Sequence, residues 1–181
     1  MRFNIIGTSG SGKSTLAKKV SNSFGCRYVE MDKVFWRENW THLDDREFFQ
    51  NLKLELEGDF WVLDGNYTRT IPIKWEKPLI VIWLDLPFFP TLKQAIFRAV
   101  GRAFSQEELW EGTNNRESFF KSFFTRDSII WWTIKTFHKN RKRNSEHFKD
   151  PKYSHIKFYR VSSHKESDQL IEKLLCDLGK G

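Results

Sequence analysis

Short apolar runs alternate along this chain with longer stretches in which apolar residues recur every three or four positions, the mark of strands interleaved with helices. Phe3 to Ile6 reads as the first strand, and Ser14 to Phe24 carries Leu16, Ala17, Val20 and Phe24 at helical spacing. Gly25 suits a helix C-cap, and Cys26 to Met31 predicts a second strand ending at Asp32. Asp44 to Glu57 sets Phe48, Phe49, Leu52, Leu54 and Leu56 among charges, a helix, and Phe60 to Leu63 is a buried strand. Leu79 to Leu84, between Pro78 and Asp85, is apolar throughout, as a central parallel strand covered on both faces must be.

A helix follows over Thr91 to Ala103, then a polar and acidic stretch, 104–116, with the character of a mobile lid or loop. From Glu117 a long helical pattern keeps Phe119, Phe120, Phe123, Phe124, Ile130, Trp131, Ile134 and Phe137 on one stripe. After a polar connector from Asn144 to Ser154, His155 to Val161 predicts the last strand and Lys165 to Leu178 a docking helix. Five strands alternating with helices predict an α/β fold of three layers, with a five-stranded parallel sheet between two layers of helix.

At 181 residues the chain is most simply one domain, 1–181, with enough material for a full core. Its 30 basic against 23 acidic residues leave a net charge of +7, which suits an anionic partner, nucleotide or nucleic acid. Cys26 and Cys176 make no disulfide framework, so a cytoplasmic location is expected, and the early first strand leaves no room for a signal peptide. The longest apolar runs are too short to span a bilayer. The 16% aromatic content is credited to core packing first and base stacking second.

The candidate chemistry centres on Gly7-Thr8-Ser9-Gly10-Ser11-Gly12-Lys13-Ser14, which matches the phosphate-loop pattern G-x-x-x-x-G-K-[ST] at every specified position, between a strand and a helix. The glycines permit positive φ, so successive amides can ring a phosphate and present it to a helix N-terminus. Gly7, Ser9, Gly10, Ser11, Gly12, Lys13, Ser14 and Thr15 form the expected ATP-binding set. Lys13 supplies charge to the β- and γ-phosphates, and Ser14 is placed to ligate Mg²⁺.

Asp64, an acid at the end of an apolar strand, is the expected second holder of that Mg²⁺. Asp32, at another strand end, either accepts a hydroxyl proton, helps hold the metal or caps a turn. Trp36, in an aromatic and charged stretch, walls an acceptor pocket or packs a loop. Arg69 forks onto an acceptor anion or pairs with a surface acid. Arg98 and Arg102 share a helix face and either clamp the nucleotide or stand solvated. Arg126 and Asp127 interrupt an oily surface, which implies a role or a partner. Lys135, Lys139, Arg141, Lys142 and Arg143 read more readily as a solvated helix end than as a nucleic-acid contact.

These residues give the chain a resemblance to the adenylate kinase group of small phosphate-loop kinases. Asp64-Gly65-Asn66-Tyr67-Thr68-Arg69-Thr70 resembles the Asp-Gly-Phe-Pro-Arg-Thr segment of adenylate kinases with one residue added. Asp-Gly-Asn-Tyr after a Trp-containing strand is similar to the DNA topology modulation, or FlaR-like, branch. Arg98-Ala99-Val100-Gly101-Arg102 resembles the Arg-Ile-Val-Gly-Arg stretch of adenylate kinases, and Asp32 is similar in placement to the second-strand acid of shikimate and gluconate kinases. The likeness implies a nucleoside-monophosphate-kinase-like fold with an acceptor-side insertion at 33–57 and a lid and helical region at 104–143. Between Met31 and Asp59 there is no match to the AMP cradle of adenylate kinases, and no cysteine quartet for a zinc lid.

The expected activity is ATP-dependent phosphotransfer to a small-molecule or nucleotide acceptor, by a monomer or homodimer. Lys13, Asp32, Arg98, Arg102 and Arg126 are its catalytic candidates, with Asp32, Trp36, Asn66, Tyr67 and Arg69 on the acceptor side. The alternative is a nucleic-acid-binding regulator that modulates DNA topology and uses ATP as a switch.

Overall fold

The computed structural model describes residues 1–105, 108–110, 113–115, 129–177 and 179, with the side chains of 102, 103, 129, 130 and 132 excepted. Five strands form one sheet: β1 (Arg2–Gly7), β2 (Arg27–Glu30), β3 (Trp61–Asp64), β4 (Ile80–Leu84) and β5 (Lys157–Val161). Their order is β2-β3-β1-β4-β5, with every neighbouring pair parallel. The strand carrying the glycine loop is thus the middle one, between β3 and β4.

Helices supply the crossovers: α1 (Lys13–Phe24), α2 (Met31–Phe35), α3 (Asp45–Glu55), α4 (Ile71–Lys74), α5 (Phe88–Ser105), α6 (Ile129–His147) and α7 (His164–Asp177). Because strand side chains alternate between faces, each central strand feeds two cores. Phe3, Ile5, Val62, Ile82 and Leu84 pack with Leu16, Val20 and Phe24 of α1 and with Ile171 and Leu174 of α7. Ile6, Leu63, Val81 and Trp83 face the other way, toward Phe48 and Leu52 of α3, Ile71 and Trp75. Three layers result, as the sequence pattern predicts.

Element boundaries differ instructively. The second strand stops at Glu30 and Met31 opens a short helix, so Asp32 sits inside α2 and not at a strand terminus. Met31 is fully buried, and a β-like apolar residue there serves the core equally well from a helix. Asp44 lies outside α3 as its N-cap, its carboxylate accepting the Glu47 N–H at 2.8 Å. Helix α5 begins at Phe88, earlier than the sequence pattern places it, and α6 runs through Asn144 to His147 before a 3₁₀ turn at Pro151–Tyr153. Much of the expected aromatic stripe, 117–128, lies outside the described residues.

One buried polar residue fixes the sheet centre. Asn4, fully buried in β1, donates through Nδ2 to the Leu63 and Gly65 carbonyls, 3.1 Å each, and its Oδ1 accepts the Trp75 indole N–H at 2.9 Å. Its hydrogen-bonding capacity is spent on the carbonyls of the two residues on either side of Asp64 and on the Trp75 indole.

Candidate functional site

The loop leaving β1 has the backbone that its glycines allow. Gly10 (φ 84°) and Gly12 (φ 88°) are left-handed, and Gly12 is the N-cap of α1. At Gly10 a Cβ would stand 2.6 Å from the Ala95 Cβ of α5, so no larger residue fits. Arg98, one turn on from Gln94 and Ala95, donates from Nη2 to Ser9 Oγ at 3.1 Å. Gln94 meets His164, at the start of α7, across 3.3 Å. One face of α5 therefore backs the loop. Ser11 Oγ is buried with no hydrogen-bond partner among the described residues.

Lys13 and Asp64 come together. Lys13 Nζ is 4.0 Å from Asp64 Oδ1, and the Asp64 side chain is 3% exposed. Ile5 and Glu30 are its register partners on either side, at the carboxyl edge of the sheet. Tyr28 donates its hydroxyl to Asp64 Oδ2 at 3.1 Å, whereas Oδ1 accepts no hydrogen bond among the described residues. A buried carboxylate oxygen without a donor, beside a loop that ends in Ser14, fits a divalent ion whose other ligands are phosphate oxygens and water. No cluster of three or more His, Cys, Asp or Glu suited to a metal exists among the described residues.

Asp32 faces the same edge, its Oδ1 accepting the Tyr67 hydroxyl at 2.9 Å. Burial raises the Tyr67 phenol above its ordinary value, and the Asp32 charge adds to the effect, so Tyr67 stays a donor. Tyr28 is raised likewise, by burial first and then by Asp64 and Glu30. Asn66 reaches back to the loop, Nδ2 donating to the Gly7 carbonyl at 3.4 Å. The motif Asp64 to Tyr67 thus touches the loop, the carboxyl edge of the sheet and Asp32 within four residues.

Other expectations meet a different geometry. The Arg69 guanidinium lies 4.8 Å over the Phe35 ring and near those of Phe48 and Tyr67, and it pairs with Asp45 at 3.4 Å. Its charge is spent on a stack and a half-exposed acid. Trp36 is partly buried in an aromatic group with Phe35, Trp40 and His42. The Arg102 side chain and Arg126 lie outside the described residues. Ser162 and Ser163 cap α7, with Ser163 Oγ accepting the Glu166 N–H and the Glu166 carboxylate accepting from Ser162.

Several residues are visible only in three dimensions. Asp85, just past the end of β4 and buried, accepts from Arg160 Nε (2.8 Å) and Nη2 (2.5 Å), and Arg141 Nε stands 3.1 Å away. Two members of the basic α6 tail are therefore engaged within the fold or turned inward, Arg141 here and half-buried Arg143, and Lys135 lies over Trp131. Trp110 donates its indole N–H to Glu30 at 3.1 Å. Burial raises the Glu30 carboxyl, the Trp110 bond opposes this, and Asp64 and Asp32 add to the rise. Asn115, fully buried, bonds the Trp40 N–H at 2.7 Å and the Arg37 carbonyl at 2.8 Å. The described parts of the expected lid thus sit against the loop after α2, where Asn39 and Trp40 hold positive φ.

No protein-family model matches the chain. A Pyrococcus furiosus protein named "Putative adenylate kinase" is 31% identical over 81 residues, 40% of this chain and 44% of that one, so the match spans less than half of the relative's length. Among solved structures, a gluconokinase from Sinorhizobium meliloti 1021 aligns with a TM-score of 0.52 at 15% identity, over 98% of this chain and 94% of the other. A shikimate kinase from Aquifex aeolicus gives 0.53 at 17% identity, over 99% and 96%. An unliganded sugar kinase from a Janibacter species gives 0.51 at 15% identity, over 99% and 95%. The chain has the α/β/α fold of these small kinases.

Proposed function

We propose that the chain is an ATP-dependent phosphotransferase acting on a small-molecule acceptor. The observation that carries this reading is the approach of Lys13 to Asp64 at the mouth of the glycine loop, 4.0 Å apart with one carboxylate oxygen unclaimed. Phosphoryl transfer asks for positioning and charge more than for covalent help, and these residues offer both. Loop amides and Lys13 would bind the phosphate chain, and Ser14 and Asp64 would hold Mg²⁺. A divalent ion held there would supply positive charge against the charge of the phosphates.

Arg98 donates to Ser9 of the loop and is suited to charge that develops on the transferred group. Asp32, fixed by Tyr67, accepts the acceptor's hydroxyl proton. Asn66 ties the acceptor-side motif to the loop, and Trp36 and Tyr67 wall the acceptor space. The kinases named among the structural neighbours, two of them gluconokinase and shikimate kinase, favour a hydroxyl-bearing acceptor over a nucleoside monophosphate. With Arg69 held in its stack, a phosphate on the acceptor loses its expected clamp. The test is a coupled ADP-release assay over a panel of polyols, hydroxy acids and nucleotides, with Lys13→Ala as the inactive control; wild-type turnover by that variant ends the proposal.

A further inference from the structure

On the layer formed by α4 and α6, three basic side chains lie near one another, none of them in an ion pair among the described residues. Lys74, the last residue of α4, is 3% exposed, and its ammonium lies 5.8 Å from the Trp75 ring centroid. No carboxylate and no hydrogen-bond acceptor reaches it among the described residues. The His147 ring stands edge-on to the same indole at 5.5 Å, and its buried Nε2 has no hydrogen-bond partner among the described residues. Arg143 precedes His147 by four residues on α6, hence on one helix face, and is half-buried with no ion pair among the described residues.

A fully buried lysine without a counter-charge is rare, because an isolated ammonium loses its hydration for nothing. The nearest acids do not answer it. Glu146 and Asp150 act on His147 from α6 and from the turn after it, without pairing, and Asp150 caps Lys152 N–H at 3.0 Å. Lys152 itself is exposed and lies over Tyr153, whose ring packs edge-on against both Trp75 and His147.

We propose that Lys74, Arg143 and His147 form a binding site for a dianionic oxyanion of the phosphate class, entered past the half-exposed Arg143. Lys74 and His147 approach the Trp75 indole from two elements, Arg143 lies on the His147 side of its helix, and Arg143 supplies the fork that a tetrahedral oxyanion matches. The direction of every titration agrees: burial, then Arg143, lowers Lys74 to about 7, and burial followed by Arg143 lowers His147 below its ordinary value. An anion reverses both effects.

The experiment measures anion-dependent thermal stabilisation of the full chain at fixed ionic strength, in a Lys13→Ala background so that the glycine loop is silent. Sulfate, whose charge is constant with pH, is the first probe. We expect saturable stabilisation, with affinity about tenfold higher at pH 6 than at pH 8 as Lys74 takes up its proton. Lys74→Met and Arg143→Gln each abolish it, and the half-exposed Arg143 keeps the test independent of any folding defect at Lys74. Phosphate and glycerol phosphate then tell a free anion from a phosphomonoester, either of which fits the site. Stabilisation that chloride matches, or that survives both substitutions, overturns the proposal.

Discussion

Lys13 Nζ and Asp64 Oδ1 face each other across 4.0 Å, one at the first turn of α1 and the other at the last residue of β3. They are 51 positions apart in sequence and meet because β3 is the direct neighbour of β1. Lys13→Ala is expected to remove turnover, and Asp64→Asn to lower kcat by about 10²-fold or more with a raised Mg²⁺ requirement. Steady-state ADP release under a magnesium titration checks both. Wild-type magnesium dependence in Asp64→Asn would assign the ion to other residues.

Gly10 has two reasons to stay glycine, its φ of 84° and the Ala95 Cβ 2.6 Å from any added methyl. Gly10→Ala should destabilise the fold by about 1 to 3 kcal/mol and weaken nucleotide binding. Ala95→Gly in the same chain should restore the part due to the clash and leave the part due to φ. Urea unfolding of the four-member cycle separates the two.

Asp32 and Tyr67 should act on acceptor chemistry and spare the nucleotide. Asp32→Asn is expected to lower kcat by roughly 10² to 10⁴ with ATP affinity unchanged. Tyr67→Phe, which leaves the carboxylate without its 2.9 Å donor, should shift the pH profile of kcat more than its maximum. A fall in ATP affinity equal to the fall in kcat would place Asp32 on the nucleotide side.

Asn4 holds the peptide groups on both sides of Asp64 and also the Trp75 indole. Asn4→Ala strands three buried polar groups and should cost about 2 to 4 kcal/mol. Because Asp64 loses its frame, catalysis should fall further than stability accounts for at a temperature where the variant is fully folded. Chemical denaturation with kcat measured in parallel tests this.

Lys74 makes stability depend on alkaline pH. Its pKa is about 7 when folded and near the ordinary 10.5 when unfolded, so between those values the unfolded chain binds more protons. Stability should therefore rise with pH across that window, by up to about 1.4 kcal/mol per pH unit. Below pH 7 both states carry the charge and the penalty is complete. Urea unfolding of the wild type and Lys74→Met at pH 7 and 9.5 should show the rise in the first and not in the second.

The sheet, its layers and the glycine loop were legible in sequence because each is written in contiguous residues: apolar runs, helical spacing and an eight-residue motif. Asp64 was legible for the same reason, an acid ending an apolar run. Asp32 was found, but its helix was not, since five residues are too few to show a period. The role of Arg69 was open because its partners, Phe35, Phe48 and Asp45, are contributed by α2 and α3. Asn4, Tyr28, Glu30, Asp85 and Trp110 carry no local signal. Each gains its meaning from a strand neighbour or a distant loop.

Helix α5 touches the glycine loop at Gly10 through Ala95 and at Ser9 through Arg98, with no room for a methyl group between them. The same helix continues about two further turns to Ser105. It works as a lever whose short arm rests on the loop. A tilt at the far end, roughly 10 Å along the rod from Arg98, would bear on the backbone of that loop as a change in grip.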